Sequence, residues 1–417
     1  MYAARRRIAR VAAVTLLATI LFLKPNPARV AALSRAGAQE GFRVENPQAD
    51  AEFGKTIAFS AKIISASPIQ QASLLFRGVH EETTRVETLD VAGDGSVQFV
   101  YDASLNAFPP FSEIVYWFQA TLSDGKTYTS EQYSLQYDDD RFPWRETSQA
   151  NVTVHWYAGD DAFGAAALDS AGAGLLTMKD FIPVSLTDPI HIYIYSNVKD
   201  LSDTMLLGGR EWAGGHAHAD LGVALVSIAP GANQFVEMGT LIPHEMAHIM
   251  LYRSLGDAYD RQPVWLVEGI ASMMEGYPNP DYARALEIAG ANNTLIPIAD
   301  LCASFPADSG SAFLAYAQSQ SFVTYIRDSF GVSGISRLTA TYADGFDCEL
   351  GATKALGAPL TQLDSRWRES VLGQNRAGVA LRNLLPFLLL LSIVLIVPVW
   401  GAIDLVRQRR KHAVHPR

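Results

Sequence analysis

The sequence predicts an α+β protein in three parts: an N-terminal antiparallel β-sandwich, a second domain of mixed strands and helices, and a C-terminal transmembrane helix. Three observations carry this. Apolar residues alternate with a period of two between about Phe42 and Tyr137, the period of half-buried strands. Beyond Ser311 they recur at helical spacing. Residues 384–403 form a run of 20 without a charge.

In the first part, Ile57, Phe59, Ala61 and Ile63 alternate with Thr56, Ser60 and Lys62, and Val97, Phe99 and Tyr101 repeat the pattern. Ile114–Leu122 and Lys126–Tyr137 flank Ser123-Asp124-Gly125, a hairpin signal. Several short strands with turns between them predict a sandwich of immunoglobulin-like type over residues 42–137. Tyr116, Trp117 and Phe118 read as core and a surface strip, and no chemistry-bearing motif falls in this domain. Asp138-Asp139-Asp140 followed by Arg141-Phe142-Pro143 reads as a solvated linker. The second domain, residues 145–373, opens with a strand over Asn151–Trp156, a helix over Ala162–Met178 and a strand over Ile190–Tyr195. Its later part reads as helices over Ser311–Phe330, Val332–Tyr342 and Leu360–Leu372.

Both ends carry membrane signals. Arg5-Arg6-Arg7 precede an apolar run, Val11–Leu23, that stops at Lys24-Pro25, the layout of a secretory signal peptide over residues 1–38 or of an uncleaved signal anchor. The run at 384–403 would span about 30 Å as a helix, the thickness of a bilayer core. Pro386 and Pro398 are tolerable there. Arg407, Arg409, Arg410 and Lys411 then place residues 404–417 in the cytoplasm by the positive-inside rule, and the body of the chain outside. The expectation is a single-pass protein of the cell membrane. A net charge of −10 excludes a nucleic-acid partner, which needs a basic patch. Cys302 and Cys348 are the only cysteines and form either one disulfide or two buried thiols. Oligomeric state is not legible. Asn151-Val152-Thr153 and Asn292-Asn293-Thr294 are glycosylation sequons, with meaning only in a eukaryotic secretory route.

The chemistry concentrates in Leu241–Tyr252, which contains His244-Glu245-x-x-His248. On a helix, positions i and i+4 share a face, so both imidazoles can point at one ion about 2 Å away. Glu245 projects beside that face, where a carboxylate can take a proton from metal-bound water. A catalytic zinc usually has three protein ligands and an open position, so a third ligand is needed. A structural zinc would want four, often cysteines, and none is near. Downstream, Gln262–Ala271 reads as a second helix with Pro263 tolerated at its start, and it carries Glu268. Pro243 leaves two readings of the first helix. Either Thr240 caps it and Pro243 lies in the first turn, or the helix begins earlier and Pro243 interrupts its hydrogen bonding.

His244-Glu245-x-x-His248, followed one helix-loop later by Trp265-Leu266-x-Glu268-Gly269-x-Ala271, resembles the gluzincin zinc metallopeptidases, and among them the peptidase-MA-like domains. The resemblance implies a zincin-like domain with one zinc ion per chain, held by His244, His248 and Glu268, and Glu245 as general base. It implies peptide or protein substrates. Tyr316 lies in a segment, Tyr316–Phe322, that resembles the one returning to the cleft in this family, where a phenol can donate to an oxyanion; Tyr325 is the alternative. Val223–Ile228 resembles the edge strand along which such enzymes lay an extended substrate. The preceding Gly208–Gly222 reads as a mobile loop at the cleft edge, and its His216 and His218 form a second metal site only if they share one face of a strand. The Gly-Ala-Met-Glu-Asn motif of the zinc aminopeptidases is missing, which favours an endopeptidase. The reading is therefore a membrane-anchored, extracytoplasmic zinc metallopeptidase. The alternative is a cell-surface binding protein whose zincin domain is degenerate and whose sandwich does the work.

Overall fold

The computed structural model describes residues 41–179, 181–182, 187–205, 214–277, 279–373 and part of 384–405. Two antiparallel sheets form the N-terminal domain. One joins β1 (Phe42–Glu52), β2 (Thr56–Ser65) and β5 (Ser96–Asp102). The other joins β3 (Ile69–Gly78), β4 (Arg85–Leu89), β6 (Ser112–Leu122), β7 (Thr127–Thr129) and β8 (Tyr133–Tyr137). On β6, Ile114, Tyr116, Phe118, Ala120 and Leu122 are buried, while Val115, Trp117 and Gln119 between them are half-buried. Ile57, Phe59, Ala61 and Ile63 face them from β2, and the Phe59 ring lies 5.1 Å from Phe76 and 5.2 Å from Tyr116. Each such large side chain contributes about 1.5–3 kcal/mol by burial.

The second domain is built on a sheet ordered β12-β13-β11-β10-β9, with β9 at Arg145–Gln149, β10 at Val152–Trp156, β11 at Ile190–Tyr195, β12 at Gly215–His218 and β13 at Val223–Ser227. The three inner strands are parallel and the two outer ones antiparallel to them. Helix α1 (Asp161–Met178), capped by Asp160, makes the crossover between β10 and β11. Val154, Trp156, Ile192, Ile194, Ala224 and Val226 pack toward α1 and the long helix α3 (Gln234–Leu255). The opposite face is covered too. Phe111 of the first domain stacks on Tyr193 with ring centroids 3.4 Å apart, and Trp144 meets Tyr193 and Tyr195 edge-on. A sheet covered on both faces explains why β13 reads as an unbroken apolar run, while β11 alternates isoleucine on one face with His191, Tyr193 and Tyr195 on the other.

The segment expected to be a solvated linker is exposed at Asp138, Asp140, Arg141 and Pro143, but its Asp139 is a buried tie between the domains. Asp139 is wholly buried and takes two hydrogen bonds from the Arg141 guanidinium, at 2.7 and 2.6 Å. Tyr195 Oη and Thr204 Oγ1 donate to Asp139 Oδ2 at 3.0 and 3.1 Å, and Trp144 Nε1 donates to its carbonyl at 2.7 Å. Thr204 belongs to α2 (Val198–Met205), so linker, sheet and helix meet at one carboxylate.

The rest is helical: a 3-10 turn over Gly256–Arg261, then α4 (Val264–Met273), α5 (Pro280–Asn292), a 3-10 turn over Ile298–Leu301, α6 (Ser309–Phe330), α7 (Val332–Ala343), α8 (Cys348–Leu356) and α9 (Leu360–Ser370). Cys302 and Cys348 are bridged. Helix α3 starts at Gln234, so Pro243 lies inside it and Thr240 is not its cap. The expected signal segment, residues 1–38, and the tail at 404–417, apart from Leu405, lie outside the described residues. Residues 384–392 are helical, much of 393–403 is outside the described set, and no described helix is long and apolar enough to cross a membrane.

Candidate metal centre and active-site cleft

Two helices bring the candidate ligands together. His244 and His248 are one turn apart on α3, and Glu268 is in the second turn of α4. A ligand atom from each lies within 4.8 Å of the others. Both histidines present the same ring nitrogen: His244 Nε2 is 3.4 Å and His248 Nε2 3.6 Å from Glu268 Oε2. Their other nitrogens are engaged behind the cluster. His244 Nδ1 meets Glu275 Oε1 at 3.1 Å, and His248 Nδ1 meets Tyr259 Oη at 2.9 Å. Such outer contacts fix ring orientation and are the usual support of metal-ligating histidines.

Glu268 Oε2 is buried and has no hydrogen-bond partner. A buried carboxylate oxygen is costly without a partner, and this one faces two imidazole nitrogens. A divalent cation at the centre of the triangle satisfies all three, and two imidazoles with one carboxylate are a zinc donor set. The residues therefore fit the ion.

The electrostatics are those of a dry pocket. Burial opposes a charge on His244, yet the carboxylates of Glu268 and Glu275 on either side of its ring hold its pKa well above the ordinary histidine value. Burial brings His248 down to about 4. Burial would raise Glu268, but the attraction of His248 and His244 outweighs it and leaves the carboxylate below its usual range. Glu245 is pushed up to about 7, chiefly by burial and further by Glu268 and Glu275, against the pull of His244. Its carboxylate sits under β12: a Cβ on Gly215 would overlap Glu245 Oε1, so only glycine lets the strand lie this close.

Glu245 and His244 line a cleft of about 590 Å3 together with Gly215, Leu241, Glu275, Tyr282, Phe313 and Tyr316. The Tyr316 ring is 6.2 Å from that of His244 and rests edge-on against Phe305. Tyr325 instead packs beside Phe322, partly buried against the core. The edge strand over the cleft is β12. Val223–Ser227, expected at the edge, is β13 and is paired on both sides, because the chain first runs antiparallel through Gly215–His218. His216 and His218 sit on that strand with rings 4.8 Å apart, but among the described residues the His244–His248–Glu268 group is the one cluster with metal-ligand spacing. Residues 206–213 of the Gly- and His-rich stretch lie outside the described residues.

Sequence reasoning passed over Glu275 and Tyr259. Glu275 lies just beyond the end of α4 and Tyr259 sits in a 3-10 turn, so neither had a periodic signal.

A His-Glu-x-x-His helix and a glutamate helix lie together under the edge of a mixed sheet. Residues 170–373 match the model of the Peptidase MA superfamily, consistent with a zincin-like family. No curated protein matches. Solved structures that match parts of the chain include a myokine structure (12% identity, 23% of this chain and 95% of that one, TM-score 0.19). Others are a family 56 carbohydrate-binding module that binds β-1,3-glucan (16%, 22% and 99%, TM-score 0.17) and wild-type OgpA from Akkermansia muciniphila (13%, 24% and 30%, TM-score 0.19). At these TM-scores they carry no argument about fold or function.

Proposed function

We propose that the protein is a zinc metallopeptidase of gluzincin type that hydrolyses peptide bonds. The observation that carries this is the unpartnered, buried Glu268 Oε2 faced by the Nε2 atoms of both histidines, with the Glu245 carboxylate beside them in an open cleft. His244, His248 and Glu268 would hold the ion. When bound, zinc supplies Lewis-acid polarisation of a carbonyl and lowers the pKa of water toward neutrality. Glu245, whose own pKa is lifted by burial, is matched to accept a proton from the attacking water and return it to the departing amine. Tyr316, which lines the cleft with its ring 6.2 Å from that of His244, would donate its phenol to the developing oxyanion. The exposed edge of β12 suits an extended peptide added to the sheet, which favours internal cleavage of a polypeptide.

The disulfide supports an oxidising, extracytoplasmic location, and the uncharged run at 384–403 with its basic flank supports a membrane tether. The test is metal content by elemental analysis together with peptide hydrolysis. One zinc per chain is expected in the parent and in Glu245→Gln, none in His244→Ala, and turnover only in the parent. Equal turnover in Glu245→Gln and the parent would sink the mechanism.

A further inference from the structure

Pro243 lies inside α3, one residue before His244, and has no amide hydrogen. In an uninterrupted helix, position 243 would donate to the carbonyl of Gly239, four residues back. That carbonyl is taken from outside instead: Gly276 N donates to Gly239 O at 2.7 Å. Beside it, Thr240 Oγ1 donates to Tyr277 O at 3.3 Å. The Cδ2–Cε2 edge of the Tyr277 ring abuts Gly239, where any Cβ would overlap it. Residues 276 and 277 are thus clipped to α3 by two hydrogen bonds and a ring. The residue immediately before the clip is Glu275, whose Oε1 meets His244 Nδ1.

We infer that Pro243 is a positioning residue for the metal centre. By withholding the helix's own donor from Gly239, it makes that carbonyl the dock for Gly276 and so holds Glu275 against His244. The inference rests on reading His244 as a metal ligand. Glu275 needs such a device for two reasons. Helix α4 ends at Met273, so no helix frames its backbone. Its other oxygen, Oε2, is buried without a hydrogen-bond partner, so the carboxylate is not pinned by a second bond of its own. Its place is set by the backbone on which it sits, and that backbone is fixed at Gly276. An alanine at 243 would supply the helical donor and compete for the same carbonyl.

The test compares zinc affinity, by competition with a chromophoric chelator, and melting temperature of the metal-free protein, all on the full chain. Pro243→Ala is expected to bind zinc about tenfold more weakly, the scale on which outer contacts to ligand histidines act, while its melting temperature does not fall. Glu275→Gln should lose a similar factor, and the double variant no more than the worse single one, because both act through one contact. Gly276→Pro removes the donor from the other side and sets its ring against Gly239 O, so it should show at least the same loss. Parental affinity in Pro243→Ala and Gly276→Pro would overturn the inference, as would losses that simply multiply in the double variant. A weaker affinity matched by a marked fall in melting temperature would make Pro243 a packing residue only. Zinc binding untouched by His244→Ala would overturn the ligand reading and this inference with it.

Discussion

His244 and His248 are one turn apart yet titrate in opposite directions. His244 faces two carboxylates, Glu268 and Glu275, and its pKa rises; His248 faces a phenol behind it, and burial takes its pKa down to about 4. In the metal-free protein at neutral pH, His244 is therefore protonated and His248 is not. A metal ligand must be neutral, so zinc has to displace one proton, from His244. The sign follows: below the raised pKa the proton competes, so affinity falls as pH drops through the neutral range, about tenfold per unit. Calorimetry in two buffers of different ionisation enthalpy should return between one and two protons released per zinc, one from His244 and a fraction from Glu245, whose pKa of about 7 the ion would lower. A value near zero would refute the assigned charge states. Tyr316→Phe should keep the metal and lower kcat by about tenfold or more with little change in KM, measured on any peptide the parent cleaves. At this scale the sequence was most informative where one helix carries the pattern, as with His244, Glu245 and His248. It was least informative where partners come from turns. Glu275 and Tyr259 touch the ligands only because α3, α4 and the chain between them fold back on one another.

Among the elements, α4 depends on a brace remote from the cleft. Its first amide, Val264 N, donates to Cys302 O at 2.9 Å, and Trp265 Nε1 approaches Cys348 Sγ at 3.4 Å. The bridge between those cysteines thus holds the start of the helix that carries Glu268. In the chain-entropy account, closing a loop of this size is worth about 4 kcal/mol. Cys348→Ser should lower the melting temperature clearly and weaken zinc binding, and a reductant should do the same to the parent but not to the variant. Unchanged zinc affinity in Cys348→Ser would separate the brace from the site. Elements with a clear period or composition, such as β6, the alanine-rich α1 and α6, were readable, with ends within a few residues. β12 was not: Gly215-His216-Ala217-His218 has little strand propensity, and only pairing with β13 and the need to pass close over Glu245 make it a strand. The short α8 and the Asn279-capped α5 escaped for a related reason, since packing rather than pattern fixes them.

For the whole molecule, the decisive contact is Asp139. Its carboxylate gathers Arg141, Tyr195 and Thr204 where the two domains meet. Asp139→Ala would leave the Tyr195 hydroxyl buried without its acceptor and the partly exposed Arg141 without its counter-ion. With the exposure of Arg141 discounted, the loss should be on the order of 2–3 kcal/mol. Calorimetry should show one cooperative transition for both domains, shifted down in the variant. Two well-separated transitions in the parent would mean that the junction does not couple them. Three aspartates in a row suggest solvent, and composition alone gave no hint that the middle one would be enclosed by a second domain.

The sheet that carries the cleft has no free back. Tyr193, Tyr195 and Leu225 are sealed by Phe111, Phe142 and Trp144, which come from the sandwich and the segment after it. A fragment trimmed to the family-matched region would begin midway along α1 and would strip that aromatic wall bare. Such a fragment should be sticky and poorly soluble, whatever the integrity of its metal ligands. The sandwich is thus the other half of the second domain's hydrophobic enclosure, and a gene rearrangement that parted the two would leave neither half with a finished surface.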